Sequence, residues 1–138
     1  EPKKKMIFNP MESIDFHGFT GPFVQYTHAR IKSILRKSEI QNPKFKIGNL
    51  LPLEKKLLVI LEQFGGVIDK AANEHNPSEI AIYVFEVAKI FNSFYAEHSI
   101  TNAESEEKKQ LRLQLASMSA TVIKSGMQLL GIDVPERM

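Results

Sequence analysis

Apolar residues recur at helical spacing along most of this chain. The clearest run has spacings of four, three, four and three residues, and its members are Ile80, Val84, Val87, Phe91 and Phe94. A period near 3.6 residues is typical of an amphipathic helix with one buried face. Strand-like alternation never extends beyond a few residues, so the pattern predicts an all-α fold.

Periodicity and local start and stop signals together predict five helices. Thr20 and Asn76 are suitable N-caps, the latter with Glu79 three residues on, and Gly131 is a C′ stop. We expect Gly65-Gly66 to end the second helix. The predicted ranges are about 20–37, 52–64, 67–75, 77–98 and 104–130.

The last predicted helix contains a glycine. Gly126 costs about 1 kcal/mol relative to alanine inside a helix. That cost indicates close packing against another helix at this point, or a bend. The core stripe of this helix is expected at Leu111, Leu115, Met118, Val122 and Leu129.

Residues 1–20 show no helical period and contain turn signals. We expect them to form an extended strap in front of a helical domain at 21–138. The expected apolar anchors of the strap are Ile7, Phe8, Ile14 and Phe16. The chain begins with Glu1 and has no apolar signal-peptide core after Lys3-Lys4-Lys5, so we expect an excised piece, with the strap as the remnant of a domain junction.

Composition narrows the class of protein. The 138 residues, 43% of them hydrophobic, fit one domain, a bundle of about five helices. No cysteine is present, which excludes disulfides and thiolate metal sites. No apolar run approaches the roughly 20 residues of a membrane span, so no membrane partner is expected.

Charge is distributed unevenly along the chain. Residues 1–60 hold 11 Lys/Arg and 5 Asp/Glu, a balance of +6, whereas residues 61–138 hold 7 and 11, a balance of −4. One interpretation is an ordinary solvated surface. The other is a basic face that attracts a polyanion.

The sequence offers little support for catalysis. The four histidines, His17, His28, His75 and His98, never pair at helical spacing, and no nucleophile motif or phosphate loop is present. Glu106-Glu107 lies in a polar first turn, where a solvated surface is the expected state. We predict neither an active site nor a metal site or cofactor within these residues.

Binding has better support on the first predicted helix. Phe23, Tyr26 and Arg30 are three to four residues apart and therefore share a face. An aromatic ring beside a guanidinium suits stacking of an unpaired base and contact with its phosphate. The alternative is that both aromatic residues are core and Arg30 covers them, which is favoured for Phe23 and left open for Tyr26. We expect His28 to be a capping or surface residue.

The fourth predicted helix contains Phe91-Asn92-Ser93-Phe94-Tyr95. An aromatic stripe at helical spacing is usually core. Asn92 is the exception, and if it is buried it must be hydrogen-bonded.

Four motifs in register resemble arginyl-tRNA synthetases. The segment Gly18-Phe19-Thr20-Gly21-Pro22-Phe23-Val24-Gln25-Tyr26-Thr27-His28-Ala29-Arg30 resembles G-x-T-G-P-[FY]-x-Q-Y-x-[HY]-[AS]-R of that family. Ala88-x-x-Phe91-Asn92-x-Phe94-Tyr95, Leu111-Arg112-Leu113 and Leu129-Leu130-Gly131-Ile132-x-x-Pro135-Glu136-Arg137-Met138 resemble its later motifs. Phe19 departs from the family, which mostly has a small polar residue there, so no polar role is carried to it.

The resemblance implies the helical anticodon-binding domain of a class I arginine–tRNA ligase. Such an enzyme makes arginyl-adenylate from ATP, with Mg²⁺, and charges tRNA in the cytoplasm. Its adenylate-forming motifs are expected upstream of Glu1, so this fragment alone should be inactive. The implied partners are arginine tRNA isoacceptors and the enzyme's own catalytic domain, and we expect a monomer.

The resemblance also nominates tRNA-binding residues. In the family the anticodon loop meets the helix that matches Gln25, Tyr26 and Arg30, and also the end of the chain, here Met138. Four further residues are predicted phosphate contacts on charge alone: Arg36, Lys37, Lys44 and Lys46. The alternative hypothesis is a protein–protein or domain-docking module without RNA affinity, in which Phe8, Phe16 and Phe19 pack on a partner.

Overall fold

A computed structural model describes residues 9–15, 18–40 and 49–138. Its helices are α1 Pro10–Ser13, α2 Gly21–Arg36, α3 Pro52–Glu62, α4 Phe64–Asn73, α5 Ser78–Glu97 and α6 Glu106–Leu129. The described part of the chain contains no strand, which confirms the all-α fold, and α2 to α6 are the five predicted helices.

The expected strap is described only in part. Ile7, Phe8 and Phe16 lie outside the described residues, and Ile14 is 61% exposed, so it does not act as an apolar anchor. α1 adds a single helical turn that periodicity did not predict, since four residues are too few to show a period. The division of the chain at residue 20 stays a prediction.

Helix α5 lies at the centre of the bundle and packs against α2, α3, α4 and α6. Its predicted stripe is buried, with Val87, Phe91 and Phe94 fully inaccessible. α6 packs in addition against α2 and α3. The core therefore surrounds α5, and α2, α3, α4 and α6 each cover one face of it.

Two predicted helix boundaries are confirmed by their capping contacts. The Phe23 N–H donates to Thr20 Oγ1 at 3.3 Å, which caps α2. At the end of α6, Gly131 has a φ of +73°, the Ile132 N–H donates to the Met127 carbonyl and the Gly131 N–H donates to the Gln128 carbonyl. This pair of bonds is a Schellman motif, which needs a left-handed residue at C′.

The prediction that Gly65-Gly66 ends a helix is wrong. Both glycines lie in the first turn of α4. The last residue of α3 is Glu62, and Gln63 is both the C-cap of α3 and the residue before α4. Neither glycine has a positive φ. The chain changes direction through ordinary right-handed angles at Gln63, so the glycines are not needed for the stop.

The start of α5 is close to its prediction but differs in detail. Asn76 Oδ1 accepts from the Ser78 N–H at 3.2 Å, as a capping residue does. Its Nδ2 faces Glu79 Oε1 at 3.5 Å. The predicted bond from Glu79 back to the cap is thus made by the Asn76 side chain rather than by its backbone.

The buried face of α6 differs from the predicted stripe. Met118 is 47% and Leu129 55% exposed. Of the other predicted residues, Leu115 is buried, and Leu111 and Val122 are partly buried against the core. The buried face also carries residues that the stripe did not include: Leu113, Ala116, Ser119, Ala120, Ile123 and Met127. Small residues on this face allow close helix approach, and a search for large aliphatic residues does not detect them.

Helices α6 and α5 approach each other closely at Gly126. A Cβ built at this position would overlap Val84 Cγ1 of α5 and lie 3.6 Å from Ile80 Cγ2. Val84 is buried and β-branched, and such a side chain has one strongly preferred rotamer in a helix, so it cannot move aside at low cost. The predicted close packing at Gly126 is therefore confirmed.

We predict that Gly126→Ala lowers the free energy of unfolding by about 1–3 kcal/mol, because overpacking outweighs the helix propensity gained. Urea denaturation followed by circular dichroism measures this. Gly65→Ala is the matched control, since its Cβ would meet nothing within 4 Å. Equal stability of the two variants would contradict close contact at Gly126.

A buried ion-pair network fixes α3 against α6. Glu54 is fully buried, and its carboxylate accepts from Arg112 Nε at 2.9 Å, Lys108 Nζ at 2.6 Å and the Leu51 N–H at 2.9 Å. Arg112 also donates to the Ser99 carbonyl at 2.7 Å and to Glu104 at 2.7 Å. All charges in the network are paired, as buried charges require.

The protonation of Glu54 is linked to folding. Burial acts to raise the pKa of Glu54, but hydrogen bonds from Lys108, the Leu51 N–H and Arg112 outweigh it, and the pKa lies below its ordinary value of 4.5. A carboxylate with a lower pKa in the folded state stabilises the fold above its unfolded pKa. That contribution is lost as the pH falls through the folded pKa.

We predict that Glu54→Gln costs about 3 kcal/mol at neutral pH, because it leaves Arg112 and Lys108 without their buried counter-charge. The difference from wild type should shrink as the pH falls below about 4.5, the ordinary pKa, because the unfolded chain then takes up a proton that folded Glu54 resists. It should be lost once the pH passes the lower folded pKa. Denaturation at several pH values measures both effects. Glu104→Gln is the control, since that exposed carboxylate also pairs with Arg112, and its loss should be much smaller because solvent screens the pair. A cost for Glu54→Gln that does not change with pH would contradict the assignment.

Candidate nucleic-acid interface

The exposed side of α2 carries an aromatic–guanidinium cluster. The Arg30 Cζ atom lies 4.8 Å from the centroid of the Tyr26 ring and 5.9 Å from that of Tyr95 on α5. Both tyrosines are 40% exposed. At these distances the guanidinium makes cation–π contacts with both rings. We call Tyr26, Arg30 and Tyr95 the tyrosine–arginine patch.

A hydrogen-bonded relay fixes the orientation of Arg30. Its Nη1 donates to Asn92 Oδ1 at 2.7 Å, and Asn92 Nδ2 donates to Thr27 Oγ1 at 2.8 Å. The Thr27 hydroxyl donates in turn to the Phe23 carbonyl at 2.9 Å. The expectation that Asn92 is hydrogen-bonded is confirmed. Because the relay joins α2 to α5, Arg30 is oriented before any ligand arrives.

Tyr95 is a candidate residue that the sequence did not single out. Its motif was assigned to the core, which is correct for Phe91 and Phe94 but not for Tyr95. The Tyr95 ring lies parallel to Phe91 with centroids 6.2 Å apart, so the core supports its inner face. Tyr95 lies three residues after Asn92 and seven after Ala88, so the three share one face of α5, and this spacing is the signal that places Tyr95 beside α2.

The sequence favoured the core for Phe23 and left open whether Tyr26 belongs to the core or to a binding surface, and the structure gives a different answer for each. Phe23 is half-buried against the core and lies 5.2 Å from Phe85, measured between ring centroids. Phe19 is 61% exposed and lies 4.5 Å from the same ring. Of the three residues predicted to share a face, only Tyr26 and Arg30 belong to the patch.

A second face of α2 holds the residues that follow Gly131. Gln25 Nε2 donates to the Asp133 carbonyl at 2.7 Å, and Arg36 Nη1 donates to the Glu136 carbonyl at 2.8 Å. His28 Nδ1 lies 2.9 Å from the Pro135 carbonyl, and Lys32 Nζ lies 3.1 Å from the Glu136 carboxylate. We call residues 132–138 the tail segment.

The predicted site residues thus fall into separate groups. Tyr26 and Arg30 belong to the patch, whereas Gln25 and Arg36 contact the tail segment. Lys37 is exposed just after α2, and Met138 is 60% exposed at the far end of the tail segment. Lys44 and Lys46 lie outside the described residues.

The charge imbalance along the sequence is only partly an imbalance between surfaces. Lys32 pairs with Glu136, and Glu54 pairs with Lys108 and Arg112, so both halves of the chain contribute to shared ion pairs. Such pairs neutralise charges that a sum along the sequence counts separately.

Known proteins share the sequence pattern and the fold of this chain. The family model described as the DALR anticodon-binding domain matches residues 24–138. The chain belongs to this family. Family membership confirms the resemblance read from the four motifs, and it does not favour the docking module without RNA affinity.

Full-length relatives of this DALR domain are arginine–tRNA ligases. The enzyme of Flavobacterium psychrophilum is 49% identical over 138 residues, which are 100% of this chain and 23% of that protein. The enzyme of Parabacteroides distasonis is 43% identical, with 100% of this chain and 24% of that protein covered. The chain spans about a quarter of the length of these curated relatives.

A solved structure has the same fold. The Thermus thermophilus arginyl-tRNA synthetase matches with a TM-score of 0.92 and 36% identity, over 100% of this chain and 24% of that one. A Campylobacter jejuni structure titled as a putative arginyl-tRNA synthetase matches with a TM-score of 0.80 and 23% identity, and supports the fold alone.

The described residues offer neither a membrane span nor a metal site. None of their helices is both long and apolar enough to cross a membrane. Over the same residues, no group of three or more His, Asp or Glu side chains has the arrangement of a metal site.

The expectation that His28 is a capping or surface residue is wrong. Its side chain is 1% exposed and lies between α2 and the tail segment of this DALR domain. Burial lowers the pKa of His28 below 6.5, against the opposing effects of the Pro135 carbonyl and Glu136, and Lys32 and Lys124 lower it further. The neutral ring therefore donates its Nδ1–H to Pro135.

We predict that the domain loses stability as the pH falls below about 6.5, the ordinary pKa of histidine. The unfolded state then binds a proton that the folded state resists, so the free energy of unfolding falls with pH. Thermal unfolding at pH 7.5 and 5.5 measures this. His28→Asn retains a donor without a titrating ring, and its stability should change less over this range. An equal loss in wild type and variant would contradict the assignment to His28.

Proposed function

We propose that this chain binds the anticodon stem and loop of tRNA as part of an arginine–tRNA ligase. The observation that carries the proposal is the tyrosine–arginine patch, in which two half-exposed rings flank a guanidinium oriented by Asn92. Single-stranded RNA loops are recognised by stacking on aromatic and guanidinium planes and by hydrogen bonds to base edges. The patch offers both.

Each member of the patch has a distinct role in the proposal. The rings of Tyr26 and Tyr95 supply planes for unpaired bases, since every base has a face that can stack. Arg30 uses one nitrogen on Asn92, and its other N–H donors are directed to a base edge or a phosphate. We assign Lys37 and Met138, which are both exposed, to further contacts with the RNA.

The remaining assignments concern the whole protein. We propose that it charges arginine tRNA isoacceptors in the cytoplasm, acts as a monomer and uses ATP with Mg²⁺ in a catalytic domain outside these residues. The names of the relatives, arginine–tRNA ligases, support this assignment.

We predict that the chain binds an arginine tRNA more tightly than a version with a swapped anticodon. The affinity should fall steeply between two salt concentrations, because binding releases counterions from the phosphates. Fluorescence titration measures both. Equal affinity for both tRNAs would remove anticodon reading from the domain, and absence of binding would contradict the proposal as a whole.

Variants of the patch locate the binding surface within the same titration. Tyr26→Ala and Tyr95→Ala should each cost about 1–3 kcal/mol of binding and reduce the anticodon preference. Tyr26→Phe keeps the ring and should retain most of the affinity. Phe19→Ala is the matched control, because it removes an exposed ring that precedes the start of α2 and is not part of the patch. Equal losses from Phe19→Ala and Tyr26→Ala would contradict the location of the site.

A further inference from the structure

Four side chains on one face of α2 hold the tail segment. Gln25, His28, Lys32 and Arg36 follow one another at spacings of three, four and four residues, so they form a single row along the helix. Three of the four contact backbone carbonyls, and Lys32 contacts the Glu136 side chain. Backbone contacts fix where the segment runs, whatever side chains it carries.

The contacts also give the direction of the segment. Asp133 is held near the start of α2, Pro135 near its middle and Glu136 at its last turn. The segment therefore runs parallel to α2, and Val134 packs against the core on the way. Glu136 is the last of these contacts and lies at the C-terminal turn of α2, and Arg137 and Met138 follow it.

The segment runs alongside the part of α2 that carries the patch, because its contacts at Gln25 and Arg36 bracket Tyr26 and Arg30. Tyr26 is exposed and Arg30 is half-buried, whereas Lys37 follows the last residue of the helix. From Arg30 to Arg36 the helix rises roughly 9 Å. The Glu136 contact is thus displaced along α2 from Arg30 rather than stacked upon it.

We propose that Gln25 and Arg36 are positioning residues, which hold the tail segment on α2 so that Met138 reaches the RNA. This inference rests on the proposed function and deepens it. It assigns both residues a role through the segment, in place of the direct RNA contact that the sequence predicted for them. The Gln25 amide nitrogen and one nitrogen of the Arg36 guanidinium are engaged with tail carbonyls at 2.7 and 2.8 Å.

A double-mutant cycle with an arginine tRNA anticodon stem-loop tests the role of Gln25. Gln25→Leu should weaken binding roughly three- to tenfold, the effect of losing one hydrogen bond. The same change in a Met138→Ala background should weaken it far less, because the segment then has no contact left to position. Equal losses in both backgrounds would overturn the proposal. Gln25 and Met138 are both accessible enough for their substitution to leave the core intact.

Methyl NMR of the free protein gives a second readout that needs no RNA. Gln25→Leu and Arg36→Leu should shift the Val134 methyl resonances toward values of an undocked chain. Lys37→Leu is the matched control. It removes one positive charge, as Arg36→Leu does, from the neighbouring residue, for which no contact with the tail segment is seen among the described residues. Unchanged Val134 resonances in both variants, or an equal shift from Lys37→Leu, would overturn the positioning role.

The two readouts separate failure of this inference from failure of the proposed function. If the parent chain does not bind the stem-loop, the proposed function fails, while the resonances still report whether Gln25 and Arg36 hold the segment. If the parent binds and Arg36→Leu weakens binding without moving Val134, Arg36 contacts the RNA directly and the positioning role is overturned.

Discussion

The burial of α5 among four other helices is the constraint on which the rest of the structure depends. Each face of α5 is matched to one neighbour. Val84 faces Gly126 of α6, Tyr83 donates from its hydroxyl to the Ile60 carbonyl of α3 at 2.7 Å, and Asn92 faces α2. Since interiors are close-packed, a shift of α5 against any one neighbour would disturb the others. Beside α2 the exposed ring of Tyr95 continues the core to the surface, and there the core becomes a candidate binding surface.

The tyrosine–arginine patch is built from the edge of this core rather than from a loop. Tyr95 lies against the buried ring of Phe91, and Arg30 is held by a relay that ends on the α2 backbone. Groups fixed in advance lose little conformational freedom when a ligand binds. A base that stacks here would meet a surface already arranged for it.

Helix α2 serves two surfaces at once. One row of residues faces outward as the patch, and the neighbouring row holds residues 132–138, which are about 100 positions away along the chain. The Glu54 network does similar work at the other end of the bundle, where it joins the start of α3 to α6. In both places polar side chains fix how two segments of the chain lie against each other, because hydrogen bonds and ion pairs are directional whereas apolar burial is not.

Local sequence alone determined the helices, several of their caps and the family. A Thr20 cap, a Gly131 stop and a 3.6-residue period act over a few residues, so they can be read without a partner. Tyr26 and Arg30 could be nominated for the same reason, together with the resemblance. Only the tertiary structure decided which face of α6 is buried and that Gly65-Gly66 lies in the first turn of α4. It also decided that Tyr95 belongs to the patch and that His28 is buried beneath residues 132–138. Each of these depends on contacts between residues far apart in the sequence, and such contacts follow from how the helices pack rather than from the period of any one of them.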